Sequence, residues 1–68
     1  MPRDWWRGTM LKTARTRRKL TQAKLAEKVS VHQVTIARLE SGTRRPSMAM
    51  LQRLAKALGV PVTRLLEL

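Results

Sequence analysis

Only two residues separate a pair of short helical patterns in the middle of this chain, and nothing else in the sequence restricts the fold as much. Thr21 is a helix-capping residue. Gln22 to about Val29 follow with Leu25, Ala26 and Val29 on one face and Lys24, Glu27 and Lys28 on the other. Ser30 and Val31 lead directly into a second pattern from about Gln33 to Glu40, with His32 at its cap. A link this short cannot lay two helices side by side in antiparallel fashion, so they must meet at a steep angle.

The flanking segments are also helical. Thr9 can cap a helix from Met10 to about Lys19, whose stripe is Leu11, Ala14, Arg15 and Arg18. An arginine inside that stripe demands a partner, because a buried unpaired charge is expensive. Gly42 stops the third helix, and residues 43–46 read as a loop. Ser47 caps a fourth helix with an apolar face of Met48, Leu51, Leu54, Ala55 and Leu58. Gly59 ends it, and Val60 is placed for the hydrophobic contact that often follows such an end. Pro61 opens a short fifth helix carrying Val62, Leu65 and Leu66. The expected architecture is all-α, a compact bundle of five helices over residues 10–68, preceded by an arm, residues 1–9, with no helical period. In that arm Trp5 and Trp6 either cover an apolar gap on the first helix or join a dimer contact. Arg3 and Arg7 could let it touch DNA.

The third helix poses a question. Ile36 and Leu39 share the face a core residue needs, whereas Val34 and Arg38 point the opposite way, with Gln33 at the edge. A valine on a face that needs only charge requires a purpose.

Charge supplies one. Fifteen Lys and Arg against four Asp and Glu give a formal net charge of +11 over 68 residues, far beyond what solubility needs. A polyanionic partner is implied, with nucleic acid first and an anionic membrane surface second. Catalysis is not indicated: one histidine, no cysteine and no tyrosine leave no nucleophile with its base and no cluster to hold a metal. No cofactor is expected. No stretch has signal-peptide or membrane-spanning character, so the cytoplasm is the expected location.

The segment LTQAKLAEKVSVHQVTIARLESGTRRPSMAMLQRLAKALGVPVTRLLEL carries a resemblance. TQ-x-x-LA at 21–26, x-x-I-x-R-x-E-x-G at 34–42, Arg-Pro-Ser at 45–47 and LAKALGV at 54–60 stand in the order and spacing of the Cro/repressor type of helix-turn-helix protein. The chain resembles that family, also called XRE or lambda-repressor-like, over roughly residues 10–68. The resemblance implies a five-helix DNA-binding domain whose third helix, residues 33–40, lies in the major groove.

The same resemblance implies residue roles. Gln33, Val34 and Arg38 would read bases, with Ala37 and His32 at the margin. Their chemistry suits this, since glutamine can pair with an adenine edge, valine can sense a thymine methyl, and arginine can reach guanine or phosphate. Gln22, at a helix N-terminus that favours phosphate, would hold the DNA backbone and brace Gln33. Lys24, Thr35, Thr43, Arg44 and Arg45 would complete the phosphate contacts, Thr35 from the helix flank. Arg15 would pair with Glu40 and orient the third helix on the first. The family usually has glycine where Ser30 stands and a small hydroxyl residue where His32 stands.

Together these readings describe a transcriptional regulator, a repressor, acting as a homodimer on a near-palindromic operator in double-stranded DNA. Apolar residues at the C-terminus exceed what the fourth helix can cover, which makes Leu65, Leu66 and Leu68 the expected dimer contact. The alternative within the same fold is an antitoxin whose partner is a toxin protein. A sequence-indifferent basic binder would leave the neutral face of the third helix without a purpose.

Overall fold

A computed structural model describes residues 5–66 of the chain. Four α-helices follow one another: α1 (Gly8–Arg17), α2 (Gln22–Val29), α3 (Gln33–Ser41) and α4 (Met48–Leu58), ending in a 3-10 turn (Val62–Leu65). That turn stands where a fifth helix is expected. Only four residues separate Pro61 from Leu66, and Leu66 is extended at φ −103° and ψ 153°. It forms an isolated antiparallel bridge with Trp6. Too few residues remain for a cooperative α-helical segment.

Side-chain caps start two of the helices. Thr21 accepts a bond from the Lys24 N–H at 3.0 Å, and Ser47 accepts one from the Met50 N–H at 3.1 Å. His32 makes no such bond at the start of α3. Nor does Thr9 cap α1, which begins at Gly8 with Arg7 at the cap position.

Three helix ends share one device. Lys19 (φ 58°), Ser30 (φ 60°) and Gly59 (φ 67°) take the left-handed conformation. In each case the next residue donates its N–H back to the carbonyl five positions earlier: Leu20 to Arg15 at 3.2 Å, Val31 to Ala26 at 3.0 Å and Val60 to Ala55 at 3.0 Å. Leu20, Val31 and Val60 then pack against the core. This is the Schellman ending with its apolar contact, and it makes the link between α2 and α3 a defined corner.

The core runs through every element. Leu11, Leu25, Ile36, Leu39, Leu51, Leu54, Leu58 and Leu65 are all less than 2% exposed. Each such side chain contributes about 1.5–3 kcal/mol on burial, which holds a strongly cationic chain together. Two expectations change here. Met48 is 64% exposed, because at the first position of α4 its side chain runs off the end of the apolar stripe. Met50 packs on the core instead. Arg18 lies beyond the last turn of α1 and is exposed, its guanidinium donating to the Gly59 carbonyl at 3.4 Å. Trp6, in the arm, is 4% exposed and packs in the core, the first of the two alternatives expected for it.

Candidate nucleic-acid interface

α3 is held from its inner side and its C-terminal end. Ile36 and Leu39 enter the core. Glu40 is 9% exposed and receives Arg15 through two donors, Nε to Oε2 at 2.5 Å and Nη2 to Oε1 at 3.2 Å. The third arm of the guanidinium, Nη1, donates to the Leu20 carbonyl at 2.7 Å. Gln22 adds a bond from Nε2 to Glu40 Oε1 at 3.0 Å. Among the described residues no buried side-chain nitrogen or oxygen lacks a partner. A satisfied buried network of this kind fixes orientation, because rotating any one member strands the others.

Two residues at the start of the chain complete the anchorage. The indole of Trp6 donates Nε1 to the Leu39 carbonyl at 2.8 Å, joining the Gly42 N–H, which reaches the same oxygen at 3.3 Å near the helix end. Gly8 lies so close to the end of α3 that a Cβ there would fall on the carbonyl oxygens of Glu40 and Leu39. The N-terminus of α1 therefore abuts the C-terminus of α3, an arrangement that opposes the partial charges of the two helix ends. Sequence reasoning passed over Gly8 and left Trp6 between covering an apolar gap and joining a dimer contact. The available signals were a Trp N–H that must find a partner once buried and a glycine in a region that later proves helical.

With α3 fixed, its outer side is presented to solvent. His32, Gln33, Val34 and Arg38 are exposed, and Thr35 and Ala37 are half-buried. Val34 is 51% exposed, one of three large hydrophobic residues exposed in the described chain, with Trp5 and Met48. The loop beyond α3 folds back on it, with the Arg44 N–H donating to the Arg38 carbonyl at 3.2 Å. Thr43 Oγ1 lies 2.8 Å from Ser41 Oγ. Thr35, Arg44, Arg45 and Ser47 line one shallow cleft between α3 and this loop. Lys24 stands on exposed α2 with a loose Glu27 partner at 3.6 Å, a pairing weak enough to yield to a phosphate. Gln22 does not reach Gln33: its amide is engaged with Glu40, the nearer carboxylate.

The C-terminal residues divide. Leu65 is fully buried in the core and offers no surface to a second chain, because the 3-10 turn directs it inward against α4 and α1. Leu66 is half-buried beside Trp6. Leu68 and Arg3 lie outside the described residues.

A helix anchored behind, exposed in front and joined to its predecessor by a tight corner defines a helix-turn-helix DNA-binding domain. A protein-family model described as helix-turn-helix matches residues 11–65. The chain belongs to that family, in its Cro/repressor branch, and is a sequence-specific DNA-binding transcriptional regulator. It is 39% identical over 56 residues to the immunity repressor protein of Bacillus phage phi105, covering 82% of this chain and 39% of the phage protein. It is 43% identical over 51 residues to an uncharacterised HTH-type transcriptional regulator of Methanothermobacter thermautotrophicus, covering 75% and 74% of the two chains. Among solved structures it is similar to the P22 c2 repressor protein in complex with a synthetic operator, at a TM-score of 0.85 and 30% identity over 94% of this chain and 97% of that one. The same fold makes up 34% of HppE, solved with its substrate, at a TM-score of 0.82 and 28% identity over 88% of this chain.

Proposed function

We propose that the chain is a cytoplasmic repressor that binds a near-palindromic operator as a homodimer, with α3 of each protomer in the major groove. Gln33, Val34 and Arg38 read base edges, with His32 and Ala37 at the margin. Gln22, Lys24, Thr35, Thr43, Arg44 and Arg45 hold phosphates, Gln22 through the N–H groups of its helix start and the part of its amide left over from Glu40. The chain acts by occupying DNA and catalyses no reaction. Among the described residues no helix is long and apolar enough to cross a membrane, and no group of three or more His, Cys, Asp or Glu could hold a metal ion.

One observation carries this reading. Val34 is half exposed on a helix whose opposite side is immobilised by Glu40, Leu39 and Ile36. An apolar side chain on a rigid, projecting face is suited to a thymine methyl, and glutamine and arginine beside it supply donors and acceptors for adenine and guanine.

Selection of bound duplexes from random DNA tests it. An enriched, near-palindromic site is expected. Gln33→Ala should weaken binding to that site by about 1–3 kcal/mol and relax preference at one position, with little change on random duplex. Equal loss on both would remove Gln33 from the reading face. The antitoxin alternative adds a toxin protein as partner. Gln33→Ala would then abolish repression while rescue of growth from the toxin persists.

A further inference from the structure

Of the arginines and lysines that lie away from the reading face, three converge on one concavity. A cavity of about 520 Å³ opens between α1 and the segment after α4. Met10, Ala14 and Val60 form its apolar floor, and Arg17, Arg18 and Arg64 stand around it. None of the lining residues belongs to α2, to α3 or to the loop between α3 and α4. The cavity is therefore separate from the surface that meets DNA.

Among the described residues the three guanidiniums have no carboxylate to neutralise them. The two acids among the described residues are both engaged elsewhere, Glu27 with Lys24 and Glu40 with Arg15. Arg18 is exposed and uses one donor, Nη2, on the Gly59 carbonyl at 3.4 Å, so the rest of its guanidinium is available to a ligand. Three like charges around an apolar floor create a local positive potential that water and salt offset only in part. Guanidinium groups offer paired donors matched to a carboxylate or phosphate.

We propose that this cavity binds a small amphipathic anion, an apolar body resting on Met10, Ala14 and Val60 with a phosphate or carboxylate held by Arg17, Arg18 and Arg64. The volume falls within the range of small-molecule sites, roughly 300–1,000 Å³. Duplex DNA fits the charge but not the concave, apolar floor. A second copy of the chain would bring the same three positive charges against themselves.

The test uses 1-naphthyl phosphate, with 1-naphthol and inorganic phosphate as its separate halves, titrated into the full chain and followed by backbone amide NMR. Saturable shifts confined to residues 10–18 and 59–64 are expected, with 1-naphthyl phosphate binding at least tenfold more tightly than either half. The double variant Arg17→Gln, Arg64→Gln should lose at least tenfold in affinity and keep its thermal melt, both positions being exposed. Arg53→Gln, on another basic surface of α4, should bind like the parent chain. Equal weakening by Arg53→Gln, or inorganic phosphate binding as tightly as the aromatic ester, would reduce the effect to general charge and overturn the proposal. Shifts of these amides by random duplex, with none from 1-naphthyl phosphate, would assign the cluster to nucleic acid and overturn it as well.

Discussion

At the scale of single residues, the orientation of the reading helix depends on a few contacts made behind it. Arg15 commits three of its nitrogens, two to Glu40 and one to the Leu20 carbonyl, and Gln22 adds a third bond to the same carboxylate. Breaking such a pair from one side costs about 3–5 kcal/mol, whereas replacing both members by apolar groups is far milder. Arg15→Met and Glu40→Leu should each lower the urea midpoint sharply, and the double variant should recover part of the loss. Strictly additive losses would mean that the two side chains do not act as a pair. Gly8 is a second such point. Gly8→Ala should destabilise by about 1–3 kcal/mol through overpacking against the end of α3, although alanine is the better helix former. An unchanged midpoint would show that α1 can withdraw from that contact without cost.

Two elements set the interface geometry, the corner between α2 and α3 and the loop after α3. Ser30 sits at φ 60° and ψ 46°, exposed, in the conformation that glycine adopts without strain. The strain on a non-glycine residue there is about 1 kcal/mol, partly offset because glycine gains more freedom on unfolding. Ser30→Gly should therefore be neutral to mildly stabilising, raising Tm by a few degrees and leaving DNA affinity unchanged. A fall in Tm would show that the corner is held by something serine supplies. In the proposed complex the loop supplies part of the electrostatic grip on phosphate. Arg44→Gln should weaken all DNA sequences alike and lower the magnitude of the slope of log affinity against log salt by roughly one unit. An unchanged slope would place Arg44 away from phosphate.

At the scale of the whole molecule, one domain of this size contacts few bases, which is the physical ground for the proposed pair of half-sites. In the proposed dimer, Leu65 is buried in the core, and Leu66 is the described residue of the expected C-terminal contact that still offers surface. Two α3 helices about 34 Å apart would then match successive major grooves. Sedimentation should show a concentration-dependent dimer, and a full palindrome should bind at least 100-fold more tightly than one half-site. A chain that stays monomeric and binds both equally would end the dimer proposal. The charge of +11 should make the on-rate fall steeply with added salt in the same measurements.

Local chemistry sufficed for several features that depend on near neighbours in the chain, though not for the caps expected at Thr9 and His32. The caps at Thr21 and Ser47, the apolar stripes of α2 and α4, the left-handed stop at Gly59 and the tight corner after Val29 all follow from residues within a turn of one another. The outward face of α3 was legible for the same reason, since periodicity alone separates Val34 and Arg38 from Ile36 and Leu39. The pairing of Arg15 with Glu40 entered through a family resemblance, not through spacing. Lys19 shows a limit even at short range, because nothing in its side chain announces the φ of 58° that ends α1. Contacts between distant residues were decided only by the tertiary structure. Trp6 reaches the Leu39 carbonyl across 33 positions, Gly8 is selected by a backbone that approaches from α3, and Leu65 turns inward because the final segment is too short to form an α-helix. No local pattern encodes these, because the space a side chain fills is set by whichever segment the fold brings beside it.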